Sequence, residues 1–142
     1  MVYFVRSSVI ALAAILFASA ASAASVDDVS AASKAVWDGH LQKAMSKDLD
    51  AVMTDFTDQS AIVTPDKVYV GTAEIRGFIG NVIKGWTPEV IKSMVMKAEI
   101  AHDNVVFTIF TVGAAKRTFV YTTVIKDGKI LTVTDSPGFA AE

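Results

Sequence analysis

Between residues 86 and 89 the hydrophobic period of this chain changes from that of a helix to that of a strand, and the switch limits the fold more than any other feature. Before it, Ile75, Phe78, Ile79, Val82, Ile83 and Trp86 recur at i, i+3, i+4, i+7, i+8 and i+11. That is one apolar helical stripe, with Thr72 as its expected cap and Gly85 and Pro88 disrupting its end. After the switch, period two predicts four strands at about 89–101, 104–112, 117–126 and 129–135. The joints His102-Asp103-Asn104, Gly113-Ala114-Ala115-Lys116 and Asp127-Gly128 are too short for crossovers, so these strands form an antiparallel meander. Asp127-Gly128 is in addition a strong two-residue hairpin signal.

Upstream, Ser25 and Asp28 have the spacing of a helix-start capping box, with Asp in place of the usual Glu. Val29, Ser33, Val36, Trp37, His40, Leu41, Ala44 and Met45 follow at helical spacing, which predicts a first helix over about 27–46. Asp48 caps a second, shorter helix bearing Leu49, Val52, Met53 and Phe56, expected to end near Thr57-Asp58-Gln59-Ser60. Ala61-Ile62-Val63 and Val68-Tyr69-Val70 then read as a small hairpin around Thr64-Pro65-Asp66-Lys67. Three helices followed by a twisting meander make an α+β domain with the helices gathered on one sheet face. The meander has apolar side chains for both faces, so the outer face is expected to need a cover, and a second subunit is the simplest one.

The first two dozen residues carry Arg6 as their only charge, then the apolar run from Val9 to Ala18, then small residues through Ala24. This is the layout of a secretory signal peptide, with cleavage fitting before Ala24 or before Ser25. The apolar run is only about ten residues, against the roughly twenty that span a bilayer, so no stable membrane anchor is expected after cleavage. The expected organisation is a signal peptide over 1–24 and a single domain over 25–142, exported to the periplasm. The 15 acidic residues outnumber the 13 basic ones, which leaves no cationic surplus for nucleic acid. With no cysteine there is no disulfide framework and no thiolate metal site or nucleophile.

The order of these elements, together with Lys47-Asp48-Leu49-Asp50-Ala51-Val52, Asp55-Phe56-Thr57-Asp58, Ala61-Ile62-Val63-Thr64-Pro65 and Gly71-Thr72-Ala73-Glu74-Ile75, resembles the nuclear transport factor 2 superfamily, also called SnoaL-like. The resemblance spans the whole mature chain. It implies a cone-shaped, barrel-like curved antiparallel sheet with three N-terminal-half helices on its concave face, an apolar pocket between them, and a homodimer. That superfamily contains ketosteroid isomerases, dehydratases, polyketide cyclases and noncatalytic binding modules, so the fold does not fix a function. Matched to the isomerases, the position of the general-base Asp holds Thr64, which does not take a proton near neutral pH. The position of the oxyanion-donating Tyr holds His40, and the position of the protonated Asp holds Phe119.

His40 lies on the face of the first helix that carries Val36, Trp37 and Ala44, and an imidazole there either acts as acid or base or is a half-buried structural histidine. Asp55 either orients His40 or closes a helix end, and Asp135 either faces the pocket as an acid or base or is solvated at a strand end. His102 reads as a turn residue, and Arg76 as a ligand-carboxylate contact or a surface ion-pair partner of Glu74 or Asp66. The candidate catalytic residues are thus His40, Asp55 and Asp135, and the candidate ligand contacts Trp37, His40, Thr64, Phe78, Trp86, Phe107 and Tyr121. Two histidines 62 positions apart make no metal site, and no cofactor motif is present. The sequence places first an exported, homodimeric module binding a small apolar molecule. Second is a cofactor-free lyase, cyclase or isomerase using His40, and third a protein-interaction domain working through its sheet.

Overall fold

A computed structural model describes residues 24–140, so the expected signal peptide lies almost wholly outside the described residues. The chain runs α1 (Val26–Met45), α2 (Leu49–Met53), β1 (Phe56–Val63), β2 (Val68–Val70), α3 (Gly71–Lys84), α4 (Pro88–Lys92), β3 (Met94–His102), β4 (Val105–Val112), a 3-10 turn (Gly113–Ala115), β5 (Arg117–Lys126) and β6 (Lys129–Ala140). Among these helices none is long and apolar enough to cross a membrane.

The expected α+β architecture stands, with three corrections. The four-strand meander is antiparallel, but β1 joins β6 in parallel, so the open six-stranded sheet is mixed, in the order β2-β1-β6-β5-β4-β3. The segment before β3 is not strand from residue 89. Thr87 caps a one-turn helix with Pro88 at its start, the position where proline's missing N–H costs nothing. The second helix stops at Met53, and Phe56 to Ser60 belong to β1. A polar stretch reads as strand there because the register against β6 breaks between Phe56 and Ala61. Ser60, fully buried, bridges that break: its hydroxyl donates to the Ile130 carbonyl at 2.6 Å and accepts from the Thr57 amide at 2.8 Å.

Local chemistry sets the other boundaries. Ser25 and Asp28 form the full capping box of α1. Thr72 does not cap α3; its hydroxyl donates to Asp58 at 2.5 Å, and the helix starts one residue earlier at Gly71, whose φ of +78° favours glycine. Asp127 and Gly128 both have positive φ, as a two-residue hairpin of right-handed strands requires.

Ile75, Ile79 and Ile83 of α3 are buried and pack with Val52, Ile62, Val106, Ile130 and Val133 into one core. Each such side chain contributes about 1.5–3 kcal/mol by leaving water. Strand β4 alternates strictly: Val106, Thr108, Phe110 and Val112 are buried under the helices, while Val105, Phe107, Ile109 and Thr111 are half-exposed on the other face. Thr108 and Thr123 are fully buried, and their hydroxyls have no hydrogen-bond partner among the described residues. Replacing an unsatisfied hydroxyl by a methyl removes a desolvation cost, so Thr123→Val is expected to stabilise the fold by about 1 kcal/mol. Urea unfolding checks this, and an unchanged or lower midpoint contradicts it.

Candidate functional site

α1 crosses the sheet so that Trp37, His40 and Ala44, at i, i+3 and i+7, face inward. From the other side α3 presents Ile79 and Ile83. Between them and the sheet lies a cavity of about 370 Å³, within the range of small-molecule sites.

The sheet supplies its floor in rows. Tyr121 pairs with Thr108 on β4 and with Asp135 on β6, Phe119 pairs with Phe110, and Arg117 pairs with Val112. Tyr121, Phe119 and Arg117 are two residues apart on β5 and therefore share the inner face. The Phe110 and Tyr121 rings lie 5.2 Å apart and within 12° of parallel, and Phe119 lies 6.3 Å from Tyr121 at 15°. Together they form a stacked aromatic cluster on the cavity wall that also holds aliphatic side chains of α3.

His40 is buried, stacked on Trp37 at 5.3 Å and meeting the edge of Phe56 at 5.4 Å. Its Nδ1 is 3.1 Å from Asp55 Oδ2, and Lys43 Nζ donates to Asp55 Oδ1 at 2.5 Å. Burial by itself would raise the Asp55 carboxyl. The hydrogen bonds and charges of His40 and Lys43 outweigh it and hold that carboxyl below its ordinary value. An ionised Asp55 only accepts, so Nδ1 carries the proton. Nε2 has no hydrogen-bond partner among the described residues, and the ring lines the cavity.

Two further titratable groups share the cavity. Burial, with the charge of Asp135 beside it, pushes the Tyr121 phenol far up, so it stays protonated. Asp135 is also raised, by burial, against the opposing charge of Arg117. Among the described residues no three His, Asp or Glu side chains converge as metal ligands.

Of the residues singled out from the sequence, Trp37, His40, Phe78, Trp86, Tyr121 and Asp135 line the cavity, and Asp55 stands behind His40. Thr64 and Phe107 do not. The Thr64 hydroxyl closes the β1–β2 turn by donating to the Lys67 carbonyl at 2.8 Å. Phe107 pairs with Ile100 and Thr122 on the opposite sheet face, because it is an odd number of positions from Phe110 along β4. Arg76 pairs with Asp50 at 2.6 Å on the surface, rather than with Glu74 or Asp66. Sequence reasoning missed Phe110 and Arg117, and weighed Phe119 only as a missing carboxylate. The parity of β5 around Tyr121 was the available signal for both Phe119 and Arg117.

Since its folded value is depressed, Asp55 contributes stability that is fully present above its ordinary pKa of 3.8 and is lost as pH falls through the lower folded value. Asp55→Asn is therefore expected to destabilise the protein near neutral pH by about 1–3 kcal/mol and to flatten its acid limb. Thermal melts of both proteins from pH 7 down to about pH 2 check this. Parallel acid limbs would contradict it.

No known family's sequence profile matches the chain, and no curated protein is significantly similar to it. Solved structures are. An NTF2-like protein of unknown function from Burkholderia xenovorans LB400 superposes with a TM-score of 0.61 at 16% identity, covering 80% of this chain and 90% of that one. A candidate ketosteroid isomerase from Kribbella flavida DSM 17836 gives 0.60 at 13% identity, over 80% and 82% of the two chains. A candidate polyketide cyclase from Sinorhizobium meliloti gives 0.60 at 16% identity, over 72% and 94%. At these identities the likeness is one of fold: a curved, open sheet under helices from the N-terminal half, the nuclear transport factor 2-like fold that SnoaL-like proteins share.

Proposed function

We propose that this protein is a cofactor-free acid/base enzyme of the isomerase, lyase or cyclase kind, acting on a small, largely apolar molecule held in the cavity. One observation carries the reading over a purely binding role: His40 lines the cavity with a buried carboxylate, Asp55, 3.1 Å from its Nδ1. The orienting acid fixes the tautomer and leaves Nε2 as a base toward the cavity. The absence of a carboxylate at Thr64 argues against the steroid-isomerase base and not against this one.

In the proposed step Nε2 takes a proton from a carbon next to a carbonyl, and its electron pair moves into the enolate. Tyr121, kept protonated, supplies a donor for the negative oxygen. The imidazolium then returns the proton to another carbon, or to a leaving hydroxyl, which gives isomerisation or elimination. Asp135, with its raised carboxyl, is a second proton carrier in the same cavity. The test is deuterium uptake from heavy water at the α-carbon of ring-bearing ketones, followed by NMR. Wild type is expected to exchange them, His40→Ala to lose about 100-fold or more, and Thr64→Ala to change nothing. Equal exchange by His40→Ala sinks the reading.

The outer sheet face supports a homodimer. Its paired rows, such as Ile100, Phe107, Thr122 and Thr134, or Ala98, Ile109, Val120 and Ser136, hold no charged side chain. Ile100 is 62% exposed, and Val70 is 56% exposed at the far edge. Six strands about 4.8 Å apart and seven residues long give a face of roughly 550 Å². That is comparable with the ~800 Å² per partner of a standard interface. Native mass spectrometry is expected to show a dimer that Ile100→Asp converts to folded monomer; a wild-type monomer at micromolar concentration contradicts it. For export, we propose a periplasmic mature chain beginning at Ala24 or Ser25, which N-terminal sequencing of the fractionated protein reads directly.

A further inference from the structure

We infer that the cavity selects a ring-bearing anion: an apolar body whose reactive end lies toward His40 and whose other end is a carboxylate held at the mouth by Arg117. The inference rests on the proposed use of the cavity and adds the class of molecule that fills it.

The shape comes from the two walls. Phe110, Phe119 and Tyr121 stack their rings on one another along the sheet, and Ile79, Val82 and Ile83 line the cavity from α3. A cavity lined by a ring cluster on one side and aliphatic side chains on the other suits an apolar body, and an aromatic ring can meet the cluster edge-to-face or offset.

The charge comes from the order of polar groups along the slot. His40 sits at the inner end, among Phe56, Ala44 and Ile62. Asp135 and Tyr121 occupy the middle row. Arg117 is four residues before Tyr121 on the same strand, about 13 Å further out, where β5 begins. Its guanidinium lies over Phe119, 5.4 Å from the ring centre, and no carboxylate lies within ion-pair distance of it among the described residues. It lines the cavity, and its charge is felt inside, where it opposes the rise of Asp135 and of Tyr121.

The rim reinforces it. The segments 82–94 and 112–117, which supply lining residues, carry Lys84, Lys92, Lys116 and Arg117 against Glu89 alone, in a chain whose overall charge is −2. The Lys47 ammonium donates to the Trp86 carbonyl at 2.7 Å on the same rim. Such a local excess of cations attracts an anion and turns it charge-outward, away from Asp135. A planar guanidinium held over an aromatic ring keeps its fork of donors free to grip a carboxylate with two parallel hydrogen bonds.

The test uses a matched pair, 2-naphthoate and 2-naphthamide, which share a ring system and size and differ in charge. Trp37 and Trp86 are the only tryptophans in the chain and both line the cavity, so their indole N–H resonances report occupancy there. Wild type is expected to bind naphthoate about tenfold more tightly than naphthamide, with both indole signals moving. Arg117→Gln is expected to bring the two affinities together without changing that for naphthamide. Arg117→Lys should retain part of the preference, and added salt should weaken naphthoate alone. Equal affinities in wild type, or a preference that survives Arg117→Gln, overturn the inference and leave the cavity reading standing. Indole signals that respond to neither probe overturn both.

Discussion

Asp55 stands where three elements meet, and its two ends face different demands. Its backbone carbonyl accepts from the Ile130 amide at 2.8 Å, fixing the start of β1 against β6, while its carboxylate takes His40 Nδ1 and Lys43 Nζ from α1. A buried carboxylate is costly unless it is paired and hydrogen-bonded. Here the pairing side chains come from the helix that roofs the cavity. The interaction that satisfies the charge is therefore the one that sets where α1 sits, and with it where Trp37 and His40 point.

Lys43 has a distinct part in this arrangement. If His40 alone faced Asp55, the carboxylate would be an uncompensated buried charge whenever the imidazole was neutral. Lys43, reaching in from the partly exposed side of α1, supplies a counter-charge that stays in place when the histidine gives up its proton. The carboxylate is thus never left bare in its apolar setting.

The elements that were legible in the sequence are those whose signal is local. The capping box of α1, the stripe of α3 and the Asp127-Gly128 hairpin each depend on residues within one turn of chain. His40, Asp55 and Asp135 were legible as candidates for the same reason, since a titratable side chain on an apolar helix face or strand stands out. What escaped depends on pairing. The parallel joining of β1 to β6 and the strand character of Thr57 to Ser60 arise from a broken register that Ser60 mends with its side chain. Phe107 and Phe110 have the same composition-level signal; only their parity against Tyr121 sends one outward and the other into the cavity. Trp86 was placed on the α3 stripe, yet it reaches the cavity from the turn after Gly85.

Why a cavity survives at all follows from the sheet. A flat meander would let α1 and α3 collapse onto it. Register shifts between Met96 and Ala98, between Arg117 and Phe119 and between Val124 and Ile125 put extra residues into β3 and β6, and such bulges sharpen twist and bend. The bent sheet keeps its middle away from the helices while its rows remain paired. Side chains at the inner end, such as Val106, Ile130 and Val133, can then close into core, while Arg117 stays open at the other end. One strand, β5, thus runs from fully buried Thr123 to an exposed guanidinium in six residues, and this gradient gives the cavity a direction. From its mouth to its inner end the cavity therefore presents charge first, aromatic rings next and the imidazole last.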